Sequence, residues 1–550
     1  MTQFDVVIIG AGINGAGLFR DLCEQGLTCL IVDKSDFGSG TSAAPSRLIH
    51  GGLKYLETGE LRLVAQSTLE RNLLLKNAPH LVAPLLTFIP IFSWTKGVTS
   101  ALRTLIGQTQ TPLSRGAILI KIGLALYDFY GARQRVLPRH RMQSRKTALA
   151  DLPPLTPKIS AAATYYDARI TAPERLVLEL VQDGIAANPK SAALTYVSIT
   201  ARNASLTFTG PHGATIATPN LVVNAAGPWI DAVNATLGTA TQLIGGTKGS
   251  HILLDHPALI QALHGRMIYF EADDGRILLV YDYLGRAMVG STDIKAADPE
   301  TVRCDADEIA YFLTSLRALL PGLSFDASQI VYAYSGIRPL PASDAATPGL
   351  ISRDHSAPVI EATPDRPYPI LSLIGGKWTT FRGFAEEVAT TILIRLGQTR
   401  KRSTQSLTIG GGKGYPPDTS ARRAWIATLA GTTGTRPERA EQLLARYGTT
   451  ARAILADQSR FSDSDRLPDA KTYSRAEIDW IARNERVSHL ADILMRRTTL
   501  AITGNLSHAD IAAIADIAAK ALNWDAARMQ TEITAATDHL TATHRLRIRA

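Results

Sequence analysis

Cysteine is scarce in this sequence. Three of its 550 residues are cysteines, Cys23, Cys29 and Cys304. Three thiols cannot build the disulfide framework that stabilises many secreted proteins, so the sequence is typical of a protein in a reducing compartment. The cysteines have no zinc-site spacing, and the H-E-x-x-H pattern of a metalloprotease is missing, so we expect no metal centre.

The sequence also lacks a long uninterrupted apolar run. Its most apolar stretch, residues 73–92, is broken by Lys76, Asn77, His80 and three prolines. A membrane-spanning helix needs about 20 largely apolar residues. Near the N-terminus stands an acid, Asp5, where a signal peptide would carry basic residues. We therefore expect a cytoplasmic protein that does not cross a membrane.

Positive charge is concentrated in one segment. The formal net charge of the chain is +9, and residues 93–145 carry nine basic residues with one acid, Asp128. Trp94 and many aliphatic residues are interleaved with these charges, a mixture typical of a surface that rests on anionic lipid headgroups. Two alternatives stay open. Part of the segment can be buried core with solvated arginines. Nucleic-acid binding ranks third, because no nucleic-acid motif accompanies the charge, and we expect no nucleic-acid partner.

The first 33 residues follow the pattern of a dinucleotide-binding unit. Residues 5–9 are an apolar run typical of a strand buried on both faces. The run ends in a G-x-G-x-x-G pattern at residues 10–17, a helical pattern follows, and a second strand ends at Asp33. Glycines allow the backbone to approach a pyrophosphate at a helix N-terminus, and the acid accepts hydrogen bonds from a ribose. This order predicts dinucleotide binding without distinguishing FAD from NAD.

Two later segments favour the longer cofactor. Residues 221–229 and 371–380 are each an apolar strand pattern that ends in glycine and other small residues. Three glycine-bearing strand ends spread over most of the chain fit one extended cofactor better than a compact nicotinamide site.

Seven motifs carry a family resemblance. They lie at residues 10–17, 41–57, 224–229, 248–251, 290–293, 334–340 and 375–380. Together, and in this order, they resemble the FAD-dependent respiratory glycerol-3-phosphate dehydrogenases of the glutathione-reductase-like flavoprotein superfamily. The resemblance implies an α/β fold, with a glutathione-reductase-like FAD-binding Rossmann core, an interleaved α+β substrate domain and a C-terminal helical domain.

The resemblance also implies an activity. Members oxidise sn-glycerol 3-phosphate to dihydroxyacetone phosphate by hydride transfer from C2 to flavin N5. Their electrons pass to a membrane quinone, or to oxygen in a related branch. Peripheral attachment to the inner face of the cell membrane is expected with this activity.

Residue roles follow from the matching motifs. Arg338 matches a substrate-contacting arginine, Lys377 a lysine near the flavin, and His50 an active-site histidine. We expect further substrate contacts from Lys54, Tyr55 and Thr292. The expected cofactor contacts are Gly10, Gly12, Asn14, Gly15, Asp33, Lys34, Thr41, Ser42, Arg47, Leu48, Gly51, Gly52, Ala226, Gly227, Trp229, Gly376, Lys377 and Thr379.

Lys54 is a departure from the family pattern, which has arginine at this position. Arginine presents a rigid bidentate fork to phosphate, whereas lysine is a compact point charge. The substitution is compatible with a phosphorylated polyol, but it weakens the choice of glycerol over a longer chain.

Elementary chemistry assigns similar roles to the same residues. Oxidation of an alcohol by hydride transfer requires an acceptor, a base for the hydroxyl proton, and a clamp that orients the substrate. Arg338 and Lys54 are candidates for a phosphate clamp, and Lys377 can stabilise negative charge on a reduced ring. His50 and His251 are both candidates for the base. A structural ion pair is the alternative role of Arg338, and ordinary packing is the alternative role of either histidine.

The domain organisation is predicted as follows. One FAD-dependent oxidoreductase core covers residues 1–396, with FAD-binding segments at about 1–90, 140–240 and 335–396. Its substrate- or membrane-facing segments lie at about 91–139 and 241–334. A linker at 397–418 leads to a helical domain of about five helices at 419–550, with helix caps at Ser474 and Ser507. This domain carries no visible chemistry, and docking or contacts in a homodimer are its expected role.

Three other functions stay open. The protein can be a dehydrogenase of another polyol phosphate, such as erythritol phosphate, or an oxidase that reduces oxygen. A non-catalytic flavin-binding protein of the membrane surface is the alternative from a different class.

Overall fold

The computed structural model of the protein describes residues 2–53, 60–94, 116–132, 136–211, 213–296, 298–342, 354–457 and 460–549. Lys54, Tyr55 and five of the nine basic residues of the segment 93–145 lie outside these ranges. The strands of the described residues are β1 Thr2–Ile9, β2 Cys29–Val32, β3 Leu48–Ile49, β4 Val82–Ile91, β5 Arg141–Ser144, β6 Ala161–Ile170, β7 Ala192–Leu194, β8 Ser198–Arg202, β9 Ser205–Gly210, β10 Gly213–Asn224, β11 Ile244–Leu254, β12 Met267–Glu271, β13 Ile277–Tyr283, β14 Arg286–Gly290, β15 Ile294–Lys295, β16 Ile330–Pro341, β17 His355–Ser356, β18 Val359–Ile360, β19 Ile370–Ser372 and β20 Ile374–Gly375.

Helices cover both sheets and form the C-terminal third of the chain. The longer ones are Ile13–Glu24, Leu61–Asn77, Ala117–Tyr130, Arg145–Asp151, Pro173–Ala187, Ile230–Thr236, Pro257–Leu263, Ala306–Leu319, Phe381–Arg395, Thr419–Thr433, Pro437–Tyr447, Ala451–Ala456, Arg475–Asn484, His508–Leu522 and Ala526–His544. Within the described ranges, every helix is too short or too polar to span a bilayer.

The first sheet is a Rossmann-type sheet with a parallel centre. Its strand order is β18-β19-β10-β1-β2-β7, and β9 and β8 extend it from β10. Strands β19, β10, β1, β2 and β7 are parallel, with Val6 opposite Leu221 on one side and Cys29 on the other. Apolar side chains fill both faces of β1 because helices pack on one face, whereas the β8–β9 hairpin and the end of the helix Ile230–Thr236 pack on the other. The predicted strands of the dinucleotide-binding unit are thereby confirmed.

The second sheet is largely antiparallel and carries Arg338, one of the predicted substrate residues. Its strand order is β15-β11-β14-β13-β12-β4-β6-β3, with β16 paired to β11 and β5 to β6. Arg338 of β16 lies opposite Thr247 of β11, and Tyr334 lies opposite His251. Residues four apart on a strand share a face, so these four side chains stand on the same face of the sheet.

The C-terminal region is helical, as predicted. Among the described residues it contains six helices of at least six residues, around a core of buried aliphatic side chains. The Ser474 hydroxyl accepts a hydrogen bond from the Glu477 backbone N–H at 3.1 Å, and the Ser507 hydroxyl accepts one from the Asp510 N–H at 3.1 Å. Both predicted helix caps are therefore confirmed.

The predicted linker, residues 397–418, packs closely against the first sheet's helices. Arg400 pairs with Asp21 at 2.8 Å, and Lys413 pairs with Asp183 at 2.6 Å. The Asn77 side-chain amide donates to the backbone oxygen of Gln405 at 2.8 Å. This segment is thus a packed connection and not a freely extended tether, and the exact domain boundaries stay a prediction.

The helix Ala117–Tyr130 lies at the surface of the second sheet. Of the residues 118–127, which the alternative interpretation of this basic segment places in the core, Leu124 and Tyr127 are buried. Ile118, Ile122 and Leu126 form an exposed apolar row at helical spacing. The segment is therefore only half buried, and an apolar face is left open to its surroundings.

Candidate active site

The glycine-rich turn joins the first helix to the ends of two strands. Gly10 has φ +107°, and a Cβ there would collide with the carbonyl oxygen of Ala225 after β10. A Cβ at Gly15 would collide in turn with the carbonyl oxygen of Gly10. Gly12 precedes the helix Ile13–Glu24 without a capping side chain of its own. This close approach of backbone to helix N-terminus is the arrangement that binds a pyrophosphate.

Asp33 lies at the end of β2 and fixes the glycine-rich turn. Its carboxylate accepts hydrogen bonds from the backbone N–H groups of Ala11, at 2.7 Å, and Ser35, at 2.9 Å. Burial raises the pKa of Asp33 to about 6, although those hydrogen bonds lower it, and the charge of Asp36 adds to the increase. The carboxylate is therefore fixed at the end of β2 with a pKa raised above its ordinary value, and its contact with a ribose stays a prediction.

Lys34 and Trp229 lie beside Asp33 and share a partner. Lys34 Nζ stands 4.2 Å from the centre of the Trp229 ring, and both side chains donate to Glu300 Oε1, at 2.5 Å and 2.6 Å. Glu300 comes from the second sheet's side of the molecule, after β15. This three-residue contact links the two sheets at the ribose end of the predicted cofactor site.

The segment 41–52 crosses between the two sheets. The Thr41 hydroxyl donates to the backbone oxygen of Ile337 at 2.6 Å, and the Ser42 hydroxyl accepts from the Ile13 N–H at 2.9 Å. Leu48 is buried in β3, and Gly52 has φ +77°. The segment thereby ties β16, which carries Arg338, to the helix N-terminus of the glycine-rich turn.

Arg47 is buried in this segment and pairs with a carboxylate. Its guanidinium donates to Glu174 at 2.6 Å and 3.2 Å. Burial lowers the pKa of Arg47, but the negative charge of Glu174 raises it further, so the guanidinium stays charged. Both terminal nitrogens are thus directed at Glu174, so the side chain anchors the loop. A contact between Arg47 and a cofactor stays a prediction.

The third glycine-bearing strand end meets the first helix. Gly375 and Gly376 have φ of +67° and +85°, and Asn14 Nδ2 donates to the Gly375 oxygen at 3.3 Å. The buried Asn14 Oδ1 has no hydrogen-bond partner among the described residues. Lys377 is buried, and its ammonium group donates to Ser67 Oγ at 3.0 Å. An orphaned amide oxygen and a glycine cradle fit a bound group between the helix and this strand end.

Arg338 is held in a fixed orientation by the segment that follows β14. It donates to Asp293 Oδ1 at 2.9 Å, to Ser291 Oγ at 3.0 Å and to the Thr292 backbone oxygen at 3.1 Å. A Cβ at Gly249 would collide with its guanidinium, so a side chain at position 249 would displace the guanidinium from this orientation. About a fifth of the side chain is exposed. An oriented arginine at an accessible position suits an anionic ligand.

Thr292 supports this arrangement from below. Its hydroxyl is buried, accepts from the Ser250 N–H at 2.9 Å and donates to Glu308 at 2.6 Å. Lys248 neutralises Glu308 at 2.8 Å. The hydroxyl is occupied within the protein, so a direct contact of Thr292 with substrate stays a prediction.

His251 is buried next to Arg338. Its Nε2 is hydrogen bonded to Ser46 Oγ at 2.8 Å, and its ring stacks on Tyr334 with centroids 4.8 Å apart. Burial, followed by the charges of Arg338 and Arg47, lowers its pKa to about 3. His251 is therefore a neutral imidazole at physiological pH and a weak base.

His50 lies on the other side of the segment 41–52, before Gly51. Its backbone N–H donates to the Thr379 hydroxyl at 3.3 Å. The Gly51 N–H donates to the Tyr127 hydroxyl at 2.9 Å and to Asp167 Oδ1 at 3.1 Å. This loop is thus fixed both to the third strand end and to the surface helix.

Two positions connect the cofactor motifs directly to β16. A Cβ at Gly227 would lie 4.0 Å from Pro339, and a Cβ at Gly336 would press on Ala44. The Ala226 N–H, one residue earlier, donates to Asn224 Oδ1 at 3.2 Å. Arg338 therefore sits between two strand residues, Gly336 and Pro339, that lie close to the predicted cofactor turns.

Comparison with known proteins agrees with this geometry. A family model described as FAD dependent oxidoreductase matches residues 5–389, and one described as the C-terminal domain of alpha-glycerophosphate oxidase matches residues 402–529. A glycerol-3-phosphate dehydrogenase of Synechocystis sp. is 31% identical, over 92% of this chain and 90% of the relative. One from Pseudomonas tolaasii is 30% identical, over 91% and 92%. The chain belongs to the FAD-dependent glycerol-3-phosphate dehydrogenase family.

Solved structures agree at the level of the fold. The glycerol-3-phosphate dehydrogenase of Bacillus halodurans, complexed with FAD, superposes with a TM-score of 0.74 at 20% identity, covering 98% of this chain and 95% of that one. The L-alpha-glycerophosphate oxidase of Mycoplasma pneumoniae gives 0.53 at 17% identity, covering 74% and 98%. The predicted mixed α/β Rossmann-type fold with a helical C-terminal domain is confirmed.

FAD is the cofactor of this family, and the residues present fit it. The glycine-rich turn offers a helix N-terminus to the pyrophosphate, Asp33 offers a carboxylate to the ribose, and Asn14 has an unsatisfied amide oxygen near Gly376. The roles of the individual residues, including Gly51, Gly52 and Thr379, stay a prediction. Among the described residues, no cluster of histidine, cysteine or acidic side chains is arranged to hold a metal ion.

Sequence reasoning missed several residues of this dehydrogenase-family site. Glu300 and Glu308 contact predicted residues from loops and helices with no motif of their own. Arg71, Tyr127 and Asp167 form a buried cluster under the His50 loop, with Arg71 Nη1 donating to the Tyr127 hydroxyl at 2.8 Å and to Asp167 at 3.1 Å. Each of these contacts joins residues distant in sequence, so no local spacing signals it.

Proposed function

We propose that this protein oxidises sn-glycerol 3-phosphate to dihydroxyacetone phosphate, with hydride passing from C2 to flavin N5 and electrons then to a membrane quinone. The observation that supports it most is the oriented guanidinium of Arg338. It is flanked by Ile337, whose backbone oxygen accepts from the Thr41 hydroxyl, and by Pro339, which lies near Gly227. The names of the relatives support the same substrate.

The residues of the chain divide the work of this reaction. Bound FAD supplies the hydride acceptor. Arg338 holds the phosphate and so orients C2, and Lys54 of the same proposed clamp lies outside the described residues. His50 takes the hydroxyl proton, since His251 is a weak base. Buried Lys377 offsets negative charge that develops next to it.

We further propose peripheral attachment to the inner face of the cell membrane. Support comes from the exposed apolar side chains of Trp94, Ile122 and Phe129, of which 58%, 55% and 73% are accessible. Lys121 and Arg139 of the same basic segment are also exposed. Apolar side chains with flanking cations fit a surface that rests on anionic lipid, where a quinone is also found.

Anaerobic mixing tests the reaction. The flavin absorbance of the FAD-loaded protein at about 450 nm should disappear when glycerol 3-phosphate is added. In Arg338→Ala this bleaching should be far slower. Arg276→Ala is the matched control, because Arg276 is an exposed arginine that, like Arg338, pairs with a carboxylate, here Asp274. Equal bleaching rates in the three proteins would remove Arg338 from the site.

Two rival functions have a specific observation each. Lys54 in place of the family arginine weakens the choice of glycerol over a longer polyol phosphate, and the family model of the C-terminal domain is named for an oxidase. Bleaching by erythritol phosphate in preference to glycerol 3-phosphate would establish the first. Faster re-oxidation of the reduced protein by oxygen than by a quinone would establish the second. A protein that binds FAD and is bleached by neither polyol phosphate would support the non-catalytic alternative.

A further inference from the structure

A fully buried carboxylate lies beside the cofactor site and is held by the C-terminal domain. Asp36 accepts from Arg496 Nε at 2.5 Å and from two nitrogens of Arg497, at 2.7 Å and 2.8 Å. The sequence separation is 460 residues for the first of these bonds. Asp36 has no exposed surface, and the two arginines are nearly as buried.

Asp36 belongs to the loop that clasps the glycine-rich turn. Three residues earlier, Asp33 accepts from the Ala11 N–H, and two residues later the Gly38 N–H donates to the Ala11 oxygen at 2.9 Å. The backbone oxygen of Asp33 also accepts from the Val197 N–H at 3.1 Å. Whatever fixes Asp36 therefore fixes the loop that presents Asp33 to the ribose.

The two arginines are themselves rigidly placed. They belong to a single π-helical turn, Ile493–Arg497, a local feature that is often found at functional sites. Arg496 also pairs with the Asp492 carboxylate at 2.6 Å, and Arg497 Nε donates to the backbone oxygen of Glu485 at 3.0 Å. The C-terminal domain thus offers two oriented guanidinium groups to the cofactor domain.

Besides holding the loop in place, the two arginines affect the pKa of Asp33 through their charge. Burial by itself would raise the pKa of Asp36, but Arg497 and Arg496 lower it to about 2, so Asp36 is ionised. That negative charge in turn raises the pKa of Asp33. The charged or titratable groups that face this carboxylate pair are Lys34, Tyr196, Asp492, Arg496 and Arg497.

We propose that the C-terminal helical domain is part of the FAD-binding apparatus, with Arg496 and Arg497 as positioning residues that hold Asp36 and thereby set the position and charge of Asp33. The domain's role is then more than docking. This inference is independent of the substrate, since it concerns cofactor affinity alone. Because coupling between two sites is reciprocal, FAD should also stabilise the docked domain.

The test compares two arginines that both bridge the domains. Arg496→Gln removes one cation from Asp36 and leaves Arg497 in place. Arg286→Gln is the matched control, because Arg286 pairs with Asp255 at 2.5 Å and donates to the Thr503 oxygen at 2.8 Å, far from the loop 33–38 in sequence. The FAD dissociation constant of each protein is measured by flavin fluorescence from pH 5 to 8.

Two results are expected for Arg496→Gln. Its FAD dissociation constant should rise by roughly fivefold or more at neutral pH, the lower end of typical coupling between sites. Arg497 stays in place and keeps Asp36 ionised, so loss of the Arg496 cation leaves more uncompensated negative charge beside Asp33. This charge favours protonated Asp33, and the pH below which FAD affinity declines should therefore move upwards. A merely structural contact would weaken the fold without moving that pH. Identical dissociation constants and pH profiles in wild type, Arg496→Gln and Arg286→Gln would overturn the proposal.

A second variant covers failure of Arg496→Gln to fold. Arg496→Lys keeps the positive charge but loses the fork that reaches both Asp36 and Asp492. It should bind FAD at least twofold more weakly than wild type, with the pH profile unchanged. A dissociation constant equal to that of wild type would again contradict the proposal.

Discussion

The backbone N–H of Gly51 donates a hydrogen bond to the hydroxyl of Tyr127 at 2.9 Å. This bond connects the loop that carries His50 to the helix Ala117–Tyr130, whose opposite face is apolar and exposed. A Cβ at Gly51 would collide with the same hydroxyl, so only glycine allows the approach. The surface helix is therefore coupled to the loop of the candidate active site by this hydrogen bond and by the close approach of Gly51.

Tyr127→Phe should weaken the attachment of the His50 loop to the helix Ala117–Tyr130. The substitution leaves the Gly51 N–H with Asp167 alone and deprives Arg71 and Asp167 of a shared partner. Loss of buried hydrogen bonds should lower the free energy of unfolding by about 1–3 kcal/mol. It should also raise KM for the polyol phosphate more than it lowers kcat, because the loop leads directly to the predicted substrate residue Lys54.

Denaturant unfolding and steady-state kinetics check this prediction. Tyr130→Phe, at the end of the same helix, is the control, and both quantities should stay near wild type there. Equal KM values for the two variants would show that the Tyr127 hydroxyl contributes packing stability and nothing to the position of the loop.

FAD affinity should fall as the pH drops below about 6. An ionised Asp33 accepts hydrogen bonds from ribose hydroxyls, whereas its protonated form has lost that capacity at one oxygen. Its pKa of about 6 in the protein lies above the ordinary value. If FAD binding requires ionised Asp33, the affinity for FAD has its full value at a pH above this pKa. Below it, the affinity decreases by up to about tenfold for each pH unit.

Flavin fluorescence titrations at several pH values measure this dependence. Asp33→Asn should bind FAD more weakly at pH 8 and show little change between pH 5 and 7. Asp5→Asn is a suitable control, since Asp5 lies within β1, five residues before Gly10, and accepts from the Thr28 N–H at 2.8 Å. A wild-type affinity that is constant from pH 5 to 8 would refute the role given to Asp33.

His251 should make the protein sensitive to acid. Its pKa of about 3 in the folded protein lies below the ordinary value, so below pH 6.5 the unfolded chain binds more protons at this residue. The stability contributed by the neutral imidazole is present above pH 6.5 and is lost as the pH falls towards 3. His251→Gln should reduce the loss of unfolding free energy between pH 6.5 and 5 by about 1–2 kcal/mol.

Urea titrations at the two pH values give this difference, with His539→Gln as the control, a histidine whose pKa burial also lowers, but less. A His251→Gln protein with the same acid sensitivity as wild type would contradict the buried, neutral state. The same variant informs the mechanism, because a retained pH dependence of kcat near neutrality would support His50 as the base.

Local sequence patterns were sufficient for the framework of the cofactor site. Strands β1 and β2 follow from apolar, β-branched runs, and Asp33 follows from its place after the second run, because burial and turn chemistry act over a few residues. Arg496 and Glu300 were not predictable, since their roles depend on contacts across domains and sheets. The protonation state of His251 was not predictable either, because its pKa depends on burial and on two arginines distant in sequence, Arg338 of β16 and Arg47 of the segment 41–52.

Binding to anionic vesicles should depend on the exposed row of the helix Ala117–Tyr130. Ile122→Asp places a negative charge on that row, where it opposes both insertion and attraction to anionic headgroups. Ile394→Asp is the matched control, because Ile394 is 71% exposed on the helix Phe381–Arg395, outside the basic segment. Flotation of wild type and Ile394→Asp should increase with anionic lipid and decrease with salt, whereas Ile122→Asp should stay in the dense fraction. Equal flotation of the two variants would show that the lipid contact lies outside this helix. Failure of all three proteins to float at low salt would contradict membrane attachment through this helix.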